Sequence, residues 1–225
     1  MQTKKIKFLG ITKNNLLFKS TLLFVGICST LTSYSQSSDS RENFSFGIKA
    51  GINRSNVWDE KGQDFRADPK TGLAAGVFLS LPLGAIIGFQ PELLFSQKGF
   101  KGSGTLLGTG YSLTRTSNFI DVPLLLQIKP IKELTFLVGP QYSYLMSQKD
   151  VYTLGSNSYE QSEEFKNENI RENILGFVIG ADINFQHFLI SGRLAWDFVN
   201  NNGDGSTTTP RYKNELFQIT LGYKI

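Results

Sequence analysis

The chain has 225 residues, one cysteine, one histidine and a formal charge of +4. That length suits a single domain, and so few cysteines exclude a disulfide framework or a cysteine metal site. The positive charge belongs to the first 35 residues, which hold five lysines and no acid; the remainder carries 18 basic against 19 acidic residues and leaves no electrostatic footprint for nucleic acid.

The leading segment reads as a targeting signal. Lys4, Lys5, Lys7, Lys13 and Lys19 precede Thr21 to Leu31, an apolar run of 11 residues. A secretory apolar core spans about 7–15 residues, whereas a membrane helix needs about 20. Ser33 and Ser35 supply the small residues a signal peptidase reads, so cleavage is expected before Gln36. The alternative, an N-terminal anchor helix, fits the polar end of the run less well. Cys28 lies inside the apolar run after Ile27, which is not the small residue a lipoprotein signal wants, and is expected to leave with the leader. The domain plan is then a signal peptide over 1–35, a flexible lead over 36–43 and one domain over 44–225.

Residues Phe44 to Asn53 alternate strictly. Phe44, Phe46, Ile48, Ala50 and Ile52 share one phase, with Lys49 in the other, and this is the first expected strand. Arg54 to Thr71 is polar and reads as a long loop. The second strand is Gly72 to Leu81, followed by a tight Pro82-Leu83-Gly84 turn. The third, Ile86 to Gly99, sets Ile87, Phe89, Pro91, Leu93 and Phe95 against Gln90, Glu92, Ser96 and Lys98. Gly99 to Gly110 reads as a glycine-rich loop. The fourth strand, Tyr111 to Ile128, alternates best from Ile120 and puts Asp121 opposite the apolar phase. After a short turn at 129–133, Leu134 to Met146 forms the fifth, with Gln141 in the polar phase. Ser147 to Asn173 is expected as a long acidic loop. Ile174 to Ile183 is the sixth strand, with Asp182 in the polar phase, and Asn184 to His187 a turn. The seventh, Phe188 to Asn200, carries Ser191, Arg193 and Asp197 in the polar phase. The eighth is Asn214 to Ile225.

These expectations describe an all-β, eight-stranded, antiparallel up-and-down transmembrane β-barrel. Each strand offers about ten residues, the span needed at roughly 45° tilt. Connections alternate long and short, as in outer-membrane barrels with short periplasmic turns and long outer loops; an even strand count then leaves both termini periplasmic. A soluble lipocalin also alternates, but its outward phase is rich in Lys and Glu. Here the second phase is mostly Gly, Ser, Ala, Gln and Asn with a few charges, which suits a narrow lumen filled by side chains. The apolar phase carries almost no charge, as lipid requires.

Three words carry a family resemblance. Phe89 to Gly99 (FQPELLFSQKG), Phe119 to Leu126 (FIDVPLLL) and Val138 to Leu145 (VGPQYSYL) resemble, in that order, strands of PorT-type outer-membrane barrels of Bacteroidetes. Asp121 stands where Glu is commoner, and the last residue is Ile225 where an aromatic favours barrel insertion; Tyr223 can serve that signal. The resemblance implies an eight-stranded barrel and little about activity, and the secretion and gliding role of the namesake does not transfer on fold alone.

Lys49, Glu92, Lys98, Asp121, Gln141, Asp182, Arg193 and Asp197 all point inward if these phases hold. A polar plug is expected, with Arg193 satisfied by Glu92 or Asp121 across the lumen. The competing reading of the same residues is an ion path. His187 falls in an expected periplasmic turn, away from the outer rim where a lipid-modifying base would work, and no catalytic, cofactor or metal residue is assigned. Asn200 to Gly205 imitates an EF-hand loop, but its twelfth position is Arg211 rather than Glu. The 150–172 segment, with Tyr152, Tyr159 and Phe165, could hold calcium or a partner, although a solvated loop is the simpler reading. The expected partners are outer-membrane lipid, the barrel-insertion machinery and a protein or envelope component met through the outer loops. A lipid-modifying barrel enzyme is the alternative; a diffusion pore is disfavoured by the narrow lumen. N-terminal sequencing of the protein from outer-membrane fractions is expected to begin near Gln36; an uncleaved leader or a soluble periplasmic product contradicts this reading.

Overall fold

The computed structural model describes residues 39–58, 66–106, 109–154, 157–163, 170–201 and 212–225. They belong to one compact unit, Asp39–Ile225. The strands are β1 (Ser45–Trp58), β2 (Arg66–Pro82), β3 (Ile87–Leu106), β4 (Thr109–Ile131), β5 (Leu134–Leu154), β6 (Asn157–Glu163), β7 (Asn173–Phe185), β8 (Phe188–Asp197) and β9 (Lys213–Lys224). All pairings are antiparallel. The order β4-β3-β2-β1-β9-β8-β7-β5 is closed by β4 against β5, making a ring of eight strands, while β6 pairs only with the far half of β5. Closure removes the sheet edges that lipid cannot solvate.

The alternation expected from the sequence is carried by burial. On β1, Lys49, Asn53 and Ser55 are buried, and Ile48 and Ile52 between them are exposed. The outward face is apolar on every strand of the ring. On β4 it runs from Ile120 to Ile128, nine residues, close to the ~9–11 that a tilted membrane strand needs. It ends at a belt of outward polar side chains, where Gln97 Nε2 donates to Asn118 Oδ1 (3.0 Å) and Asn118 Nδ2 to Ser147 Oγ (2.9 Å). The Tyr142 hydroxyl bonds Asn173 Oδ1 and carries the belt to β7.

Three segments expected as loops contain strand. β1 continues to Trp58 and β2 starts at Arg66, which shortens the expected 54–71 loop. The glycine-rich 99–110 segment is a hairpin paired as far as Leu106↔Thr109. The 147–173 segment extends β5 to Leu154 and supplies β6. Glycine lowers intrinsic strand preference, but ladder bonds to neighbouring strands override it. At Gly99 (φ +153°), an added Cβ would lie 2.1 Å from the Arg115 carbonyl oxygen, so only glycine fits the close approach of β3 to β4 there.

A bulge at Met146–Ser147 leaves both residues exposed and inverts the phase of β5 beyond it. Three prolines lie on adjacent strands. The β3–β4 ladder is interrupted between Pro91↔Leu124 and Leu94↔Asp121, and the β4–β5 ladder between Pro123↔Gln141 and Leu126↔Val138. The register is the same on either side of each gap, and missing proline donors account for local loss of pairing rather than a slip.

The short connections, 83–86, 132–133 and 186–187, lie at one end of the ring. At that end a 3-10 turn, Ser40–Glu42, folds back: Arg41 Nη1 donates to the Lys129 and Pro130 carbonyls (3.3 and 3.1 Å). Arg41 also donates to Asp39 and holds its carboxyl down at about 2.

The belt makes a checkable boundary. Leu124→Arg, in the middle of the apolar band, should destabilise the folded barrel by about 2–4 kcal/mol, and Ser112→Arg, outward but beyond the belt, by about 0–1 kcal/mol. Urea titrations in liposomes measure both; equal costs would misplace the band.

Candidate functional site

Among the described residues, the lumen concentrates ionisable side chains away from solvent. Its charged pairs occupy three levels. Nearest the short turns, Arg193 on β8 reaches across the ring to Glu92 on β3, Nη1 to Oε2 at 2.5 Å and Nη2 to Oε1 at 2.7 Å. Such a fork matches a carboxylate in two parallel bonds. Lys49 also bonds Glu92, and Asp182 faces the Arg193 guanidinium at 3.9 Å. The four charges cancel, which a low-dielectric interior requires. Ser191 Oγ accepts from Arg193 Nε (3.0 Å).

Above them lies an apolar layer of Leu125, Leu137, Val178, Ala195 and Leu216. The second polar level follows: Lys98 Nζ donates to Asp121 Oδ1 (3.0 Å) and Ser143 Oγ (3.2 Å), and lies 4.5 Å from the centre of the Phe119 ring. Gln141 donates to Ser143, and Asp197 accepts from Asn214 Nδ2 (2.6 Å). Phe119, Leu145 and Ile174 pack beyond. At the third level Arg115 makes a forked pair with Asp150 (2.8 and 2.5 Å) and donates to the Tyr212 hydroxyl (3.2 Å). Val57, Phe100, Leu113 and Tyr212 close that end.

All eight inward residues expected from the sequence are buried. The structure brings Lys49, Glu92, Arg193 and Asp182 together. It places Lys98, Asp121, Gln141 and Asp197 in a separate level. One expectation is corrected: Asp121 is not a partner of Arg193. The apolar layer lies between them, and Lys98 on the neighbouring strand answers Asp121 instead. His187 is exposed in the β7–β8 turn, where its ring stacks on Tyr223. The sequence reading missed Arg115 and Asp150. Arg115 continues the Asp121 phase up β4 in steps of two. Asp150 lies past the β5 bulge, so simple alternation points it outward. The EF-hand-like stretch beyond Asn201, and Phe165, lie outside the described residues; at the neck of that stretch Tyr212 N donates to Asn201 Oδ1 (2.9 Å).

The model of the outer membrane protein β-barrel domain family matches residues 34–202. The chain belongs to that family. It is therefore an outer-membrane β-barrel, consistent with a closed ring whose outward face is apolar. No curated protein matches the chain. Among solved structures, this outer-membrane barrel is similar to Ail, the attachment invasion locus protein of Yersinia pestis, at 14% identity and a TM-score of 0.47, covering 80% of this chain and 98% of that one. It is also similar to Neisserial surface protein A (11%, TM-score 0.44, 82% and 100%) and to OprG of Pseudomonas aeruginosa (16%, TM-score 0.43, 82% and 97%).

Arg193→Met would leave Glu92 with Lys49 as its one cationic partner among the described residues and should cost about 3–5 kcal/mol. Adding Glu92→Gln should recover part of that, while adding Asp121→Asn should not. Heat-modifiability on cold gels and urea unfolding report both; rescue by Asp121→Asn equal to that by Glu92→Gln would refute the separation of the two levels.

Proposed function

We propose that this outer-membrane barrel is a non-enzymatic envelope protein that works from its surface: the lumen is a structural plug, and the long-connection end is presented to a partner outside the cell. The observation that carries this reading is the continuation of the sheet past the polar belt. β3, β4 and β5 each run several residues beyond Gln97, Asn118 and Ser147, and β6 pairs there. That projection displays Tyr159, 65% exposed, and Tyr152, 41% exposed. Strand that far outside the apolar band contributes nothing to spanning, and projecting loops on a rigid barrel are a common place for recognition. The alternating polar and apolar levels of the lumen support a plug over an ion path.

In this reading residues 1–35 are a signal peptide, the short turns and both termini face the periplasm, and the chain is a PorT-type barrel, a reading supported by the resemblance of the three sequence words. Lipid and the barrel-insertion machinery are its general partners, and the protein or envelope partner meets the projecting sheet. A lipid-modifying activity is disfavoured because the His187 ring nitrogen meets only the Lys224 carbonyl (3.3 Å) among the described residues. That histidine also lies at the end opposite the projection.

With Cys28 removed alongside the leader, single cysteines report orientation. Tyr159→Cys should react with a membrane-impermeant maleimide on intact cells, and His187→Cys only after permeabilisation. Purified protein in planar bilayers should show no steady large conductance. The reverse labelling pattern, or stable porin-like currents, would overturn the corresponding part of the reading.

A further inference from the structure

The short-turn end of the ring opens into a vestibule of about 850 Å³, walled by strand ends and by the 39–43 segment. Its ionisable lining can be paired off. Arg41 binds Asp39 at 2.6 Å, Lys132 meets Glu133 at 3.6 Å, and Asp182 answers Arg193 at 3.9 Å on the lumen side. Besides the exposed His187 ring, Lys129 and Lys224 remain. Among the described residues no carboxylate lies within ion-pair distance of either ammonium.

Both lysines are held by neutral acceptors. Lys129, 7% exposed, donates from Nζ to the Arg41 carbonyl (3.1 Å) and Ser80 Oγ (3.4 Å). Lys224 donates to Asn184 Oδ1 (2.5 Å), and Asn184 Nδ2 donates on to Thr135 Oγ1 (3.1 Å). An ammonium has three donors, so each keeps capacity for a ligand. Nor does Glu92 neutralise Lys129 from below. Ser80 donates to Gln127, Gln127 to Gln90 and Gln90 to Glu92, but that carboxylate is already occupied by Arg193 and Lys49. Asp182, also in the lining, acts on Lys224 only from beyond ion-pair distance, and two partly buried cations with no paired carboxylate, facing a roomy polar cavity, are an incomplete arrangement.

We propose that the vestibule is a binding site for a small soluble oxyanion, a carboxylate or phosphate, bridged between Lys129 and Lys224. Serine, threonine and glutamine side chains line the floor and can hydrogen-bond the rest of such a molecule. Lysines act as point charges without the planar fork of arginine, so the site selects charge and size over a particular oxyanion geometry. Ser80, Gln90, Gln127, Lys129 and Thr135 on the floor are buried inside the ring, whereas lipid packs outside it, and the exposed residues 185–188 form only the rim; this favours a soluble ligand over a bilayer headgroup.

Isothermal titration of citrate and of inorganic phosphate into the protein in phosphatidylcholine nanodiscs at low salt tests the site. One saturable site per barrel is expected. The affinity should fall about tenfold, the worth of one charge-assisted hydrogen bond, in Lys129→Met and again in Lys224→Met. Lys101→Met, which removes an exposed cation of β3 at the opposite end of the barrel, should leave it unchanged. Cold-gel mobility verifies that each variant is folded, and if Lys129→Met does not fold, Lys224→Met decides alone. Absence of saturable heat, or equal loss in Lys101→Met, overturns the site. Competition by an anionic lipid in the nanodisc would overturn the assignment to a soluble ligand.

Discussion

The forked pair between Arg193 and Glu92 spans the ring from β8 to β3, strands on opposite sides of an eight-membered circle. It can form only because a barrel of this size has a lumen about two side chains wide. The same narrowness makes every inward charge a desolvated one, and the other levels follow from that constraint. Glu92 takes two cations and Asp182 restores neutrality. Lys98 answers Asp121 beneath the Phe119 ring, and Arg115 answers Asp150. Between the levels, aliphatic side chains fill the space at which no charge is present. The interior resembles a protein core sliced into layers more than it does a channel.

The three recognisable words of the sequence are β3, β4 and β5, neighbours in the ring. Each contributes one proline, Pro91, Pro123 and Pro140, and each supplies a polar lumen residue beside it: Glu92, Asp121 and Gln141. The prolines remove ladder donors where these strands meet, and the polar residues bind toward the centre. A physical account of the words is therefore that they encode one patch of wall, locally poor in backbone pairing and rich in inward side-chain bonds.

Outside the ring, function and stability separate. The apolar band ends at Gln97, Asn118 and Ser147, whose side chains bond one another on the outer face. Beyond it, strands continue on only part of the circumference, so the projecting sheet has a polar outer face and an aromatic-bearing inner one. At the opposite end the strap at 39–43 and two lysines without carboxylate partners shape a chamber of a different kind. In the proposed reading the two ends are separate recognition surfaces, with the filled lumen between them.

Period-two alternation, the small polar character of the inward phase and the turn residues were legible in the chain itself. They determined the strand number of the ring, its inside and outside, and eight of the polar residues that face inward. These are local properties, set by side-chain direction along a strand. Pairing across the ring was not local. Asp121 and Glu92 share a phase and are equally plausible partners for Arg193 by sequence; strand tilt and an intervening apolar layer decide between them. Asp150 was hidden by a bulge that inverts the phase of β5, and the strand continuations at 99–106 and 147–154 by glycine and polar content. In each case a bond to a neighbouring strand, invisible to local pattern, outweighed the preference of the segment itself. Lys129 and Lys224 lie 95 residues apart in the chain, and only barrel closure sets them in one chamber.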